Sequence, residues 1–264
     1  MDWITIGLIL FVLTLLQVIC AYLIYLERKV AAWVQDRKGP NRVGPWGLLQ
    51  PVADGLKFLF KEQVVPVHVD RFLYFLAPSI SVVTTMLAFA VVPFGPTDTA
   101  PTDGLRYLIA PGIEIGLLFI FAIGSLNVYS IILGGWASNN KYSLLGCVRS
   151  SAQIISYEIP LALSALAVVL LAGTLNLEEI LNQQVQTGLA GWFIWYQPLG
   201  CLLFFASALA ESNRLPFDLP EAEQELVGGY HTEYSGMKFA MFFLGEYTHV
   251  TTVSFLISLL YFGG

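Results

Sequence analysis

Charged residues are scarce in this sequence. Only 12% of its 264 residues are Asp, Glu, Lys or Arg, whereas 56% are hydrophobic. An ordinary soluble domain carries about 25% charged residues, so a composition this poor in charge cannot cover a surface that faces water. The mean hydropathy of +0.68 points the same way. The composition therefore predicts an all-α polytopic membrane protein.

Cysteine and histidine are also few, and neither forms a pattern typical of a metal or haem site. Three cysteines stand alone in or beside apolar runs, at Cys20, Cys147 and Cys201, and no CxxC spacing occurs. The usual zinc and iron–sulfur ligand patterns are thus excluded, and packing roles are favoured for the thiols. The histidines are His68, His231 and His249. Only His249 approaches an apolar run, so a haem-binding histidine pair is not indicated, and each histidine is expected at solvent or at an interface.

Six apolar runs are long enough to cross about 30 Å of hydrocarbon. Their approximate limits are Trp3–Leu26, Phe72–Pro93, Leu108–Leu133, Ala152–Ala172, Gly191–Ala210 and Phe239–Phe262. No long soluble insert separates them. The sequence therefore predicts a single transmembrane domain of six helices over residues 1–264.

Lysine and arginine are distributed unevenly among the predicted loops. Twelve of the thirteen fall in the first, third and fifth loops, and only Arg106 falls in an even loop. The positive-inside rule then places the odd loops in the cytoplasm and the N-terminus outside. We expect a multi-pass protein of the bacterial inner membrane, in preference to the mitochondrial one, with its chemistry on the cytoplasmic side. No basic cluster with interleaved aromatic residues occurs, so nucleic-acid binding is not indicated.

The segment Leu48–Lys61 in the first loop has helical periodicity. Its polar residues, Gln50, Asp54, Lys57 and Lys61, are spaced 4, 3 and 4 residues apart and form one stripe on an otherwise apolar helix. This pattern predicts an interfacial amphipathic helix in the plane of the membrane. It is either a surface helix whose lysines contact lipid headgroups or a lid whose stripe faces a cavity. The preceding residues 38–45 hold two Gly and two Pro, which predict a turn-rich linker.

Four acidic residues lie in or at the edge of predicted spans. They are Glu114 about two turns into the third span, Glu158 in the fourth, Glu211 at the end of the fifth and Glu246 in the sixth. A carboxylate that faces lipid costs a few kcal/mol, so such residues usually face a bundle interior or a wet cavity and mark ion or proton paths. The alternative is a packing role in which the carboxyl group pairs with a donor at a helix end, and this alternative is strongest for Glu211.

The fifth loop is rich in acidic residues. It holds Glu211, Asp218, Glu221, Glu223, Glu225 and Glu233 against a single Arg214. Its segment 215–220 mixes proline with apolar residues, which predicts a folded re-entrant or capping element. Crowded carboxylates raise one another's pKa and can exchange protons, but a solvated charged face explains the run equally well. Pro160 and the glycines at 134 and 135 are candidate helix breaks that line a cavity.

Several stretches in the odd loops resemble the signatures of one family. Residues 26–29, 35–45 and 49–57 (LERK, QDRKGPNRVGP and LQPVADGLK) resemble the first loop of the quinone-site membrane subunit of respiratory complex I, the family of the mitochondrial subunit 1. Residues 138–142 and 151–160 (SNNKY and SAQIISYEIP) are similar to its third loop. Residues 211–223 and 233–236 (ESNRLPFDLPEAE and EYSG) are similar to its fifth. The resemblance runs nearly from end to end.

The resemblance implies a subunit of a proton-pumping NADH-quinone oxidoreductase that holds no redox centre of its own. Its odd loops would form a chamber for ubiquinone or menaquinone, shaped by Arg28, Arg37, Arg42 and Lys57. Its buried acids would form a proton relay, comprising Glu114, Glu158, Glu211, Glu221, Glu223, Glu225 and Glu246, with Asp54 at the chamber end. FMN and iron–sulfur clusters would lie on peripheral-arm partners, and small membrane subunits and antiporter-like pumping subunits would be neighbours in the bilayer. The family has eight spans, so the seventh and eighth are expected to be missing from this chain.

Other functions stay open at this point. A related membrane-bound hydrogenase would use a similar ion-translocating subunit without quinone. A secondary transporter would also need intramembrane carboxylates and broken helices, and an internal inverted repeat would favour it, but none is visible. A scaffold that only anchors the peripheral arm is the simplest alternative.

Overall fold

The computed structural model describes residues 3–93, 113–186, 188–218 and 227–264, and over these residues it is helical with no β-strand. The α-helices of this part are α1 (Trp3–Val34), α2 (Gln50–Phe60), α3 (Arg71–Leu87), α4 (Gly116–Ala137), α5 (Lys141–Ala172), α6 (Leu177–Gln186), α7 (Phe193–Tyr196), α8 (Pro198–Glu211) and α9 (Met237–Tyr261). Five of them, α1, α3, α4, α5 and α9, are long and apolar enough to cross a membrane. The predicted class, an all-α polytopic membrane protein, is confirmed.

The predicted fifth span, Gly191–Ala210, is not one helix. Short α7 ends at Tyr196 and α8 begins at Pro198, so the apolar run is broken at Gln197. Gln197 has φ −136° and ψ 60°, because a residue before proline is sterically disfavoured in the helical region. Its side-chain amide donates to the carbonyl of Ala167 on α5 at 2.9 Å, which ties the break to the bundle. As a result α8 has only 14 residues and is about 21 Å long.

The third and fourth predicted spans are extended where they approach each other. α5 starts at Lys141 instead of Ala152, because the side chain of Asn140 accepts a backbone amide of the first turn and caps the helix. The predicted start of the third span, Leu108, lies outside the described residues, among which α4 runs from Gly116 past the predicted end at Leu133 to Ala137. Both helices therefore reach further toward the turn that connects them.

The candidate helix breaks at Pro160 and at glycines 134 and 135 were wrong, because α4 and α5 run through them without interruption. Glycine serves close packing here instead. A Cβ atom on Gly135 would overlap Cys147 of α5, and one on Gly146 would lie 2.7 Å from the backbone of Gly229. Small residues let membrane helices approach closely in this way. The three cysteines are buried and free, in agreement with the predicted packing roles.

The predicted amphipathic helix is present as α2, and the linker before it is formed by turns. Gly47 has φ 83° and packs against the carbonyl of Pro40, where any side chain would overlap it. The polar stripe of α2 is divided between two environments. Its first half is partly buried against α1, whereas Lys57 and Lys61 are exposed.

Two apolar clusters fill the bundle. One is built around Phe89, Phe204 and Tyr261, and the other around Tyr74 and Phe242. Ionisable side chains of α5, α8 and α9 line cavities whose walls include members of both clusters. The bundle thus has a polar layer between two apolar ones.

Candidate functional site: a line of carboxylates in the bundle

Three carboxylates and one imidazole form this polar layer. Glu158 projects from α5, Glu211 is the last residue of α8, and Glu246 and His249 both belong to α9. All four side chains are partly buried. The hydroxyl of Ser125 on α4 donates to Glu158 Oε1. Because α5 continues through Pro160, Glu158 is held on a helix rather than in a loop.

Glu211 and His249 lie at the centre of the layer. His249 Nε2 is 3.2 Å from Glu211 Oε1, and the two side chains are 14% and 10% exposed, respectively. Charges out of water are tolerated where each has a partner, and the two side chains form an ion pair whenever the imidazole is protonated. The pairing of Glu211 with a donor fits the packing alternative considered from the sequence, but that donor is itself ionisable.

The sequence prediction for His249 was wrong, because this histidine faces the interior and not solvent or an outer interface. The sequence did contain a pattern that indicates an interior position for His249. Glu246 and His249 are three residues apart, and this spacing places both side chains on one face of a helix. If Glu246 faces the interior of the bundle, His249 is therefore expected to face it too.

Two small cavities flank the Glu211–His249 pair. The first is lined by Glu158, and the second by Glu246 and the hydroxyl-bearing Tyr230. Glu211, His249 and Asn127 line both. Each cavity offers about 20 Å³ to water, and one water molecule needs roughly 10–15 Å³. Through the shared pair, the four ionisable groups form a connected line from Glu158 to Glu246, and each cavity on it has room for a single water molecule.

Tyr230 holds the far end of this line. Its hydroxyl donates to Glu246 Oε1 at 2.7 Å, and the residue is only 1% exposed. It belongs to the 3₁₀ turn Gly229–His231, which packs against α5 where Gly146 leaves room. Its ring meets Phe242 edge-on, with centroids 5.4 Å apart. Tyr230 thus adds a phenolic hydroxyl to the second cavity.

A further group of charges lies between α1, α9 and the turn after α8. Arg214 Nη1 is 3.5 Å from Glu27 Oε2, and its guanidinium lies 4.2 Å from the centre of the Tyr247 ring. The Tyr247 hydroxyl donates to the same Glu27 oxygen at 2.6 Å. Burial acts to lower the pKa of Arg214. Its neighbours Tyr247, Glu246 and Glu27 outweigh burial and raise that pKa above its ordinary value, so Arg214 remains a cation beside the line.

Arg28 and Asp54 form the contact between α1 and α2. Arg28 Nη1 donates to Asp54 Oδ2 at 2.6 Å, and Gln50 Nε2 donates to Asp54 Oδ1 at 3.0 Å. The remaining predicted chamber residues are exposed, namely Arg37, Arg42 and Lys57. The structure thus brings one predicted chamber residue into contact with the predicted chamber end of the relay.

Glu114 is not where the sequence placed it. It lies in an exposed turn two residues before α4, rather than two turns inside a span. The apolar run continues to Ala137, so the helix forms further along the chain than predicted. Three more predicted relay residues lie outside the described residues: Glu221, Glu223 and Glu225.

The first part of the acidic loop is folded, as predicted for a capping element. Gln153 Nε2 on α5 donates to the carbonyls of Ala210 and Phe217, both at 2.8 Å. Asn213 adds a bond from its amide to Ser150 on α5, at 3.1 Å. These bonds close the turn after α8 onto α5 and fix the position of Glu211.

Proton movement is the chemistry that this arrangement supports. Carboxylates, an imidazole and a phenol can each hold and release a proton, and single waters can bridge them. Among the described residues, no group of three His, Cys, Asp or Glu side chains is placed to hold a metal ion.

Comparisons with known proteins place these features in context. The sequence pattern of the NADH dehydrogenase family matches residues 6–264. The H-type subunit of NADH-quinone oxidoreductase from Protochlamydia amoebophila is 52% identical over 92% of this chain and 74% of that protein. NADH-quinone oxidoreductase subunit 8 of Rhodothermus marinus is 51% identical over 92% of this chain and 68% of that protein. The H-type subunit from Thermomicrobium roseum is 48% identical over 100% of this chain and 80% of that protein.

Proposed function

Because the chain belongs to the NADH dehydrogenase family, as a membrane subunit of NADH-quinone oxidoreductase, we propose that it forms the quinone-access chamber of that enzyme and couples quinone reduction to proton translocation. One observation carries the coupling role. Glu158 lines one water-sized cavity and Glu246 lines another, and Glu211 and His249 line both. Ionisable groups are expensive inside a membrane, so their alignment supports a transport role over a scaffold role.

The chamber is proposed at the contact between α1 and α2. A quinone needs an apolar wall for its tail and a few polar groups near its ring. The Arg28–Asp54 pair supplies polar groups. Exposed apolar residues of α2 supply a wall, namely Val52, Leu56, Leu59 and Phe60. In the assembled enzyme, peripheral-arm subunits cover this face, and the division of the α2 stripe suits a lid at the membrane boundary.

The proposal extends to cofactors, partners and location. Ubiquinone or menaquinone is the substrate, while FMN and the iron–sulfur clusters lie on peripheral-arm subunits and this chain supplies only acids and bases. The antiporter-like pumping subunits and the small membrane subunits receive or return the protons. We place the protein in the bacterial inner membrane with its N-terminus outside, because twelve of its thirteen basic residues fall in the odd loops.

The coupling role predicts a large effect of Glu158→Gln in the assembled enzyme. Glutamine keeps an oxygen that accepts the hydrogen bond from Ser125, but it cannot take up or release a proton. NADH-driven proton transport into inside-out membrane vesicles is expected to fall at least about tenfold. This is a smaller loss than the ~10²–10⁴-fold typical of a proton-transfer group, since Glu158 lines only one of the two cavities. NADH oxidation by ferricyanide, which reports the amount of assembled peripheral arm, is expected to stay unchanged.

The matched control is Glu179→Gln, the same chemical change on an exposed residue of α6. Its proton transport is expected to equal that of the unchanged enzyme. If Glu158→Gln transports protons as fast as this control, the coupling role is wrong.

The chamber role predicts that a photoreactive quinone analogue labels the segment 28–61 of the membrane-bound enzyme. Peptide mapping by mass spectrometry locates the label. A quinone-site inhibitor is expected to remove most of the labelling of this segment. Peptides from α6, the helix that follows the C-terminal end of α5, serve as the control and are expected to stay unlabelled. Labelling that the inhibitor does not reduce, or that falls on α6 alone, would contradict the assignment.

A further inference from the structure

We propose that His249 is itself a proton carrier, the link that passes protons between the two cavities. The inference rests on the proposed coupling role and adds a residue to it. Its basis is position: among the described residues, Glu211 and His249 are the two ionisable side chains that line both cavities, whereas Glu158 lines only the first and Glu246 only the second. The third shared side chain, Asn127, is an amide and holds no exchangeable charge.

The contact between the two side chains allows a direct transfer. His249 Nε2 lies 3.2 Å from Glu211 Oε1, which is within reach of a proton on the imidazolium. In the transfer, the Nε2–H proton moves to Oε1, and an imidazolium–carboxylate pair becomes a neutral imidazole beside a neutral carboxylic acid. The pair has zero net charge before and after. A charge-neutral exchange avoids the cost of leaving a lone ion at low dielectric.

The pair returns to its first state by exchange with water on its two sides. Glu211 releases its proton to water in the cavity that contains Glu158. The neutral ring keeps its proton on Nδ1, so Nε2 takes up a proton from water in the cavity that contains Glu246. One proton has then crossed the pair, with no redox change. Imidazole suits this role because its ring nitrogens can both take up and release a proton.

A purely structural role is the alternative, in which His249 only holds Glu211 in place by a hydrogen bond. His249→Gln separates the two, because the glutamine amide can reach a similar position and donate the same bond but cannot carry a proton. A structural role predicts that the glutamine variant works. A carrier role predicts that it loses at least about tenfold in NADH-driven proton transport. This is less than the ~10²–10⁴-fold typical of a lost proton-transfer group, since Glu211 lines the same two cavities.

The experiment uses the complete enzyme in inside-out membrane vesicles. His68→Gln is the matched control, since His68 is exposed and lies outside the polar layer; its transport is expected to be normal. The double variant Glu211→Gln/His249→Gln is expected to transport no more slowly than Glu211→Gln alone, because residues that serve one transfer do not add.

Each outcome decides between the roles. Normal transport by His249→Gln, with Glu158→Gln impaired, overturns the carrier role and leaves the proposed function intact. Normal transport by both variants refutes the proposed function itself. If His249→Gln does not assemble, His249→Asn is measured in the same way. Failure of both to assemble, judged by ferricyanide reduction in the membranes, means that His249 holds helices together and overturns the proposal.

Discussion

Replacing Glu211 with Gln is expected to lower NADH-driven proton transport about a hundredfold, the larger effect among the carboxylates of the polar layer. Loss of a proton-transfer group costs about 10²- to 10⁴-fold in typical cases. Glu211 lines both cavities, so no described carboxylate can take its place. The substitution also removes the anionic partner of His249, 3.2 Å away. An unpaired cation in a site with little water is unfavourable, so the neighbouring carrier is disturbed as well.

The measurement compares proton transport with ferricyanide reduction in the same vesicles, so that poor assembly is not read as poor coupling. Glu179→Gln is again the matched control. Glu211→Asp is a second informative variant, because it keeps the carboxylate but shortens its reach toward His249, and an intermediate loss is expected. Transport by Glu211→Gln within about twofold of the control would exclude the polar layer from the path.

Replacing Gly146 with Val is expected to destabilise the subunit by about 3 kcal/mol, at the upper end of the usual cost of overpacking. An added Cβ would lie 2.7 Å from the backbone of Gly229, and a backbone cannot rotate away as a side chain can. The turn Gly229–His231 must therefore move off α5. Because this turn carries Tyr230, its hydrogen bond to Glu246 is lost, and proton transport falls together with stability.

Thermal inactivation of NADH:quinone reduction in membranes measures this effect. Gly7→Ala is the control, since nothing lies within 4 Å of a Cβ there and α1 gains a better helix former. The control is expected to inactivate at the same temperature as the unchanged enzyme or slightly above it. Gly146→Val with unchanged inactivation and unchanged transport would show that the turn does not pack on α5 in the assembled enzyme.

The helical membrane class and most of its carboxylates could be predicted from the sequence, for a physical reason. The sequence has too few charged residues to cover a surface that faces water, and it carries acidic residues inside apolar runs. Neither property depends on tertiary contacts. The same is true of α2, whose single polar stripe is a property of its own residues. Helix boundaries were harder to predict, because an apolar run does not show at which residue its first helical turn begins. For this reason Glu114 lies before α4 and not inside it.

Features that depend on which helices meet could not be predicted. The close approach at Gly146 needs the turn at Gly229, 83 residues along the chain. The pairing of His249 with Glu211 needs α8 to end where α9 passes. The break at Gln197 was open to prediction, because proline restricts the residue before it, but the uninterrupted hydropathy of the run concealed it.

The shortness of α8 has an electrostatic consequence. Aligned peptide dipoles leave roughly half a negative charge at the carboxyl end of a helix. Because α8 stops after 14 residues, that end lies at Glu211, the residue whose carboxylate contacts the imidazole of α9. A positive ring there gains a favourable field of about 0.3–1 kcal/mol, and more where water is excluded. One further helical turn after Glu211 would place the carboxyl end of the helix further from the ring and weaken this field. The length of α8 therefore affects how strongly the imidazolium form of His249 is stabilised inside the bundle.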